Sequence, residues 1–176
     1  MGTVAGDVEL RIVGPDGTDV PPGRDGEIVV RGPNVMRGYW REEPLPDDGW
    51  FHTGDVGRLD EDGYLTIVDR IKDLIIRGGY NVYPRDVEDA LLAHPEVSMA
   101  AVVGRPDERL GEEVIAFVSL AEGATATEAE LIEFTRGRLA AHKYPRAVTV
   151  LPAIPLTSVG KLDRKRLRAT VKAETG

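Results

Sequence analysis

The chain has 176 residues and 41% apolar content, enough to bury a core as one ordinary domain or two small ones. Its 22 Lys and Arg against 30 Asp and Glu give a formal charge of -8, which argues against nucleic acid or an anionic membrane surface as a partner while leaving a local nucleotide site open. With no cysteine, disulfides, thiolate metal sites and cysteine nucleophiles are excluded; no apolar run approaches the ~20 residues of a membrane span, and the absence of a signal-peptide pattern sets a cytoplasmic expectation.

Val8, Leu10 and Ile12 alternate with polar neighbours, the period of a half-buried strand, and Pro15-Asp16-Gly17 ends it as a turn. A second turn region, Pro21 to Gly26, leads into a strand at Glu27 to Arg31, so the first thirty residues read as antiparallel β. The first strand begins so soon after Met1 that a cut from a larger sheet or barrel is expected. From Gly32 to Trp50 the text is rich in Gly, Pro and aromatic residues, which predicts a loop, with Tyr39-Trp40 and Trp50-Phe51 packing it. His52 reads as a packed loop residue. Strands follow at Val56 to Leu59 and Tyr64 to Val68, joined by Asp60 to Gly63. That hairpin would bring Asp55 beside residue 69 or 70.

The stretch Asp69 to Pro84 separates hairpins from alternating helices and strands, and reads as a domain boundary and hinge. Pro84 suits the first turn of a helix whose stripe Val87, Ala90 and Leu91 should stop at His94-Pro95. Strands are expected at Val97 to Val103, Val114 to Leu120 and Ala147 to Leu151. Thr127 with Glu130 is a capping-box pattern for a helix to about His142, with Leu131, Phe134 and Leu139 in the core. A basic helix runs from Arg164 to about Lys172. The fold class is α+β: an antiparallel hairpin or barrel remnant over 1–71, then a small α+β domain over 72–176 with a short sheet flanked by helices.

Several positions could carry chemistry, and each has a plainer structural reading. Asp55 follows a Thr-Gly turn, and its two acceptor oxygens suit the paired hydroxyls of a ribose, with Arg70 adding donors; spacing alone favours an Asx-type turn with a structural ion pair. Gly78-Gly79 permits close backbone approach to a ligand, yet a tight turn between a strand and a helix accounts for it. Neither a Walker-type nor a dinucleotide glycine motif is present. Lys161, after Thr157-Ser158-Val159-Gly160, could deliver a point charge to a phosphate or carboxylate, though exposed lysines commonly just solvate a surface. The run Arg164, Lys165, Arg166 and Arg168 reads first as a solvated face and only second as an anion-binding one. His52, His94 and His142 lack metal-ligand spacing.

Gly38-Tyr39-Trp40, Gly49-Trp50-Phe51-His52-Thr53-Gly54-Asp55, Asp69-Arg70-Ile71-Lys72-Asp73 with Gly78 to Pro84, and Pro155 to Lys161 together resemble the C-terminal part of the adenylate-forming superfamily, over almost the whole chain and in the right order. The phrasing of Gly79 to Pro84 and Glu88 to Gly104 is most similar to fatty acyl-CoA ligases. The resemblance implies a carboxylate and ATP giving an acyl-adenylate, then displacement of AMP by the CoA thiol. It implies Asp55 and Arg70 at the ribose, Lys72 as the hinge, Lys161 at the carboxylate and α-phosphate, and Gly78-Gly79 facing the second half-reaction near the pantetheine.

The family's phosphate loop, acyl pocket and magnesium-associated acid belong to a large N-terminal adenylation domain that this sequence does not contain. The expectation is therefore a chain inactive alone, using ATP/AMP and CoA, with Mg2+ held elsewhere and a carboxylic, fatty acid as substrate. The interval from Trp40 to Gly49 is several residues shorter than the family's, which puts its local helix in doubt. The resemblance also suggests acylation of Lys161 by a lysine acyltransferase. Alternatives are a carrier-protein adenylation fragment, against which stands the lack of a Gly-Gly-x-Ser site after Lys161, and a non-catalytic nucleotide- or partner-binding module.

Overall fold

A computed structural model describes residues 2–3, 6–36 and 49–173. The Gly38-Tyr39-Trp40 motif and the short interval to Asp48 lie outside the described residues. The chain divides into two compact units, Met1–Lys72 and Asp73–Gly176, one residue beyond the expected boundary.

The first unit is one antiparallel sheet whose strands β1 (Glu9–Val13), β2 (Gly26–Arg31), β3 (Phe51–Leu59) and β4 (Leu65–Arg70) neighbour one another in chain order. Its core gathers Val13, Val29 and Trp50. The Arg11 and Arg31 guanidinium carbons lie 5.1 and 4.6 Å from the Trp50 ring, so Trp50 packs against this sheet. β3 begins at Phe51, five residues before the expected start, because Phe51 and His52 pair with Val30 and Val29. His52 is accordingly an exposed strand residue, its Nδ1 2.8 Å from Glu27 Oε2, and not a packed loop residue.

The β3–β4 connection forms as expected. Asp60 Oδ1 accepts from the N–H of Asp62 and of Tyr64 at 3.0 and 2.8 Å, and Gly63 takes a φ of 79° that other residues resist. The pairing register shifts between Val56 and Gly57. A side chain at Gly57 would stand 2.8 Å from Ile28 Cδ1 and 2.9 Å from Thr66 O, so the bulge requires glycine there.

The second unit holds β5 (Ile75–Arg77), β6 (Tyr80–Val82), α1 (Pro84–Leu92), β7 (Val97–Asp107), β8 (Gly111–Leu120), α2 (Glu128–Arg136), β9 (Ala147–Val150) and α3 (Arg164–Ala173). The sheet order is β6-β5-β8-β7, with β9 parallel to β8. β8 explains the layering. Val114, Ala116 and Val118 face a cluster with Val87 and Leu91 of α1 and Leu131 of α2, while Ile115 and Phe117 face Leu167 and Val171 of α3. Both faces are covered, which is why the strand reads as an unbroken apolar run. Each fully buried leucine here contributes about 1.5–3 kcal/mol by area alone.

The capping box of α2 is formed: Glu130 N–H donates to Thr127 Oγ1 at 3.3 Å, and Thr127 N–H to Glu130 Oε2 at 2.8 Å. The helix stops at Arg136, not near His142, with Gly137 as its C-cap. Leu139 N–H bonds back to Thr135 O, and the chain then turns through Ala140 and Lys143. Leu131 is fully buried; Phe134 is half-buried, edge-on to His94 with ring centroids 4.7 Å apart, and Leu139 packs only at the rim of the core. β7 and β8 run further than expected, to Asp107 and from Gly111. Their polar ends still pair, and Asp107 Oδ1 closes the turn by accepting from the N–H groups of Arg109 and Leu110. Among the described residues no helix is long and apolar enough to cross a membrane.

Candidate functional site

Asp55 and Arg70 are directly paired positions on β3 and β4. Arg70 Nε donates to Asp55 Oδ1 at 2.9 Å, and Arg70 N–H donates to Asp69 Oδ1 at 2.8 Å. Asp55 itself is tied down from behind: its N–H donates to Thr53 Oγ1, which donates to Ile28 O, and Gly54 N–H donates to Glu27 Oε1. The Asp55 side chain is 29% exposed and that of Arg70 55%. Among the described residues no donor meets Asp55 Oδ2, which leaves that oxygen and the Arg70 guanidinium edge facing solvent. A ribose diol or a phosphate fits this pair. The ion pair of the structural reading and the open acceptor of the functional one are both present.

Lys72 is exposed and is the last residue of the first unit; a short 3-10 turn, Ile71–Asp73, surrounds it. The second unit then opens with the β5–β6 hairpin. Gly78 and Gly79 have φ values of 57° and 81°, the two-residue turn that suits a twisted hairpin. They therefore join two strands, not a strand and a helix. Nothing lies within 4 Å of where a Cβ on Gly79 would stand, so a ligand can approach the backbone from that side.

This turn is anchored on several sides. Gly78 N–H donates to Leu110 O at 2.8 Å, and Ile76 N–H to Glu112 Oε2 at 2.8 Å. Arg77 binds Glu113 through Nε at 2.5 Å and Nη2 at 3.1 Å, with both side chains about nine-tenths buried. Burial pushes the Glu113 carboxyl up, but the Arg77 guanidinium, the Val114 N–H and the charge of Arg146 outweigh it and hold it below the ordinary carboxylate range. The same contact raises Arg77 against its own desolvation. The pair stays ionised. Next to the turn, Tyr80 stacks on His142 with centroids 4.5 Å apart, a contact with no sequence signal.

Lys161 ends a self-bonded turn. Thr157 N–H donates to Lys161 O at 2.7 Å, Gly160 N–H to Thr157 O at 2.9 Å, and Lys161 N–H to Thr157 Oγ1 at 3.1 Å. Gly160 supplies the φ of 77°. The side chain is exposed, and among the described residues no carboxylate pairs with its ammonium.

The basic helix departs from the solvated face expected of it. Arg164 Nη2 lies 2.7 and 2.8 Å from the two oxygens of buried Glu88, and Arg168 Nη2 lies 2.6 Å from Asp73 Oδ1. Glu88 also accepts from Val102 N–H on β7 at 2.9 Å. These arginines are internal braces. Their i, i+4 spacing beside buried Leu167 and Val171 was the available signal. Among the described residues no group of three His, Asp or Glu is placed to hold a metal.

Comparison with known proteins shows the family. The family model described as the AMP-binding enzyme C-terminal domain matches residues 86–161, and that of the AMP-binding enzyme matches residues 1–40. The chain is 48% identical over 164 residues to a feruloyl-CoA synthase of an Amycolatopsis species, covering 91% of this chain and 33% of that protein. It is 49% identical over 150 residues to a long-chain-fatty-acid–CoA ligase of Bacillus subtilis, covering 83% and 27%. The crystal structure of ATP-bound MatB from Rhodopseudomonas palustris superposes with a TM-score of 0.91 at 41% identity, over 97% of this chain and 35% of that one. The chain thus spans about a third of the length of these relatives. It belongs to the AMP-binding, adenylate-forming enzymes and carries their C-terminal domain.

Proposed function

We propose that the chain works as the C-terminal part of an AMP-forming acyl-CoA ligase, with residues 1–71 closing an adenylation domain and 72–176 as the mobile domain. The observation that carries this reading is Lys161: an exposed ammonium without a carboxylate partner among the described residues, presented by a hydrogen-bonded turn at the end of the matched C-terminal domain.

In the first half-reaction a carboxylate oxygen attacks the α-phosphorus of ATP and pyrophosphate leaves. Lys161 offsets the negative charge that builds on the carboxylate and phosphoryl oxygens. Asp55 Oδ2 accepts from the ribose hydroxyls, and Arg70 holds Asp55 while offering its remaining N–H groups. Lys72 is the swivel between half-reactions. In the second, the CoA sulfur attacks the acyl carbonyl and AMP leaves with the bonding pair, while the Gly78-Gly79 backbone lies along the pantetheine. Mg2+ would be held outside this chain. The acid is proposed to be a fatty acid, supported by the Bacillus relative; the equally similar feruloyl-CoA synthase makes an aromatic acid the competing substrate. Exposed Lys161 is also the site proposed for control by a lysine acyltransferase, which intact mass after treatment with acetyl-CoA and an acetyltransferase would detect.

The chemistry is tested by joining this chain to the N-terminal region of the Bacillus ligase. ATP-, CoA- and acid-dependent formation of acyl-CoA and pyrophosphate is expected from the hybrid and none from the chain alone. A folded hybrid without turnover overturns the ligase reading. The acyl class is tested with fatty and aromatic acids on the longest open reading frame that includes this chain, where turnover of aromatic acids alone overturns the fatty acid assignment.

A further inference from the structure

We propose that Arg168 is a positioning residue that sets the length of the hinge, by clamping Asp73 and so confining the swivel to Lys72; this rests on the proposed role of Lys72. Three observations meet at one peptide bond. The compact units divide between Lys72 and Asp73. Exposure falls sharply there: Ile71 is 43% exposed and Lys72 is exposed, while Asp73 is 8% and Ile75 1% exposed. Asp73 is also the residue that Arg168 grips, across 95 positions of sequence, at 2.6 Å.

Without that grip, the next firm attachment of the chain to the second unit would be Ile75, which lies in the core with Val82 and Leu91. The segment between the first unit and that attachment would lengthen from Lys72 alone to Lys72, Asp73 and Leu74. A longer link multiplies the orientations that a rotating domain can sample, and dilutes the few that are productive.

The clamp is built on something rigid. Leu167, on the residue before Arg168, and Val171 are each 2% exposed in the core beneath β7 and β8, and Arg164, one turn earlier on the same face, is held by Glu88. Asp163, the residue before α3, accepts from Arg166 N–H through Oδ1 at 3.0 Å, and its own N–H donates to Pro155 O at 2.9 Å. That bond closes the loop carrying Lys161. One helix therefore connects the end of the swivel, through Arg168, to the proposed catalytic ammonium at its other end. Rotation about Lys72 is passed to Lys161 with little slack.

Residue-level hydrogen exchange on the chain itself tests the clamp. In Arg168→Gln, the amides of Asp73 and Leu74 should exchange about tenfold faster, while those of α1 and β8 keep their protection, and Arg168→Lys should restore part of the difference. Unchanged exchange at 73 and 74, or an equal rise across the whole second unit, overturns the proposal.

The functional consequence is read in the hybrid ligase. Arg168→Gln should lower kcat of both half-reactions about tenfold with KM for ATP and acid within about twofold, because orientation and not binding is degraded. A loss confined to one half-reaction, or confined to KM, overturns it. A hybrid in which even the parent sequence is inactive counts against the ligase reading, while the exchange experiment still decides the clamp.

Discussion

Asp55 and Arg70 face each other in register across the open end of the β3–β4 hairpin, joined by a single 2.9 Å bond that uses one carboxylate oxygen and leaves the other unmet among the described residues. A pair this exposed contributes about 0–1 kcal/mol to folding. Stability and function therefore separate. Asp55→Asn should leave the thermal midpoint of the chain nearly unchanged, yet raise KM for ATP about tenfold in the hybrid ligase through loss of the charged acceptor. A purely structural pair would behave the opposite way, with a lower midpoint and an unaffected KM.

The Arg77–Glu113 pair makes a pH-dependent prediction of definite sign. Glu113 is held below its ordinary value of 4.5, so its contribution is complete above that value and is lost as pH falls through the folded-state value. Arg77, shifted upward, stays charged throughout and adds no dependence there. Glu113→Gln should cost about 3 kcal/mol at pH 7, because it leaves a buried guanidinium without its counter-charge. The gap between parent and variant should narrow as pH drops below 4.5. Urea unfolding at a series of pH values measures it. The exposed carboxyls Glu9, Asp16, Asp107 and Glu130, also held low, add a common acid slope that the comparison cancels.

How far these features were legible from the sequence depends on how local their causes are. The Asp60 to Gly63 turn and the Thr127–Glu130 cap are written in four residues each, and both formed. A tight turn fixes register outward from itself, which brought Asp55 to residue 69 or 70, and the bulge between Val56 and Gly57 is what selects Arg70. β5 and β6 were missed as a hairpin since three-residue strands carry no period to read. Helix α2 was overextended because Leu139 and the alanines after it continue an apolar stripe past the point where the backbone turns. The braces on α3 were legible only as an i, i+4 spacing of Arg164 and Arg168 beside apolar Leu167 and Val171; their partners Glu88 and Asp73 lie 76 and 95 residues away, and charge alone does not name them.

Arg164 and Glu88 offer a stability prediction of the kind a solvated helix face would not give. Glu88 is 7% exposed and accepts from Val102 N–H as well as from Arg164, so it also satisfies an outward N–H of β7. Arg164→Gln should cost about 3 kcal/mol in urea unfolding, by stranding a buried carboxylate. Glu88→Gln retains an acceptor for Val102, so the double variant should lose less than the two single losses added together. Additive losses would show that the two side chains are not energetically coupled.

Lys161 gives the prediction on which the division of labour rests. Its side chain is exposed and its turn is closed by Thr157 and Gly160 backbone bonds that any side chain at 161 would keep. Lys161→Ala should therefore change folding stability by no more than about 0.5 kcal/mol. In the hybrid ligase the same substitution should slow acyl-adenylate formation about 100- to 1,000-fold, the scale on which removing one charge-stabilising donor acts. Thioester formation from supplied acyl-adenylate should proceed at the parent rate, since Lys161 is assigned to the first step alone. Lys161→Arg keeps the charge but replaces a compact ammonium with a planar fork, so it should recover only part of the lost rate. Pyrophosphate release and acyl-CoA formation measured separately decide the matter: equal loss in both steps would assign Lys161 to the scaffold shared by the two half-reactions instead of to the phosphoryl chemistry of the first.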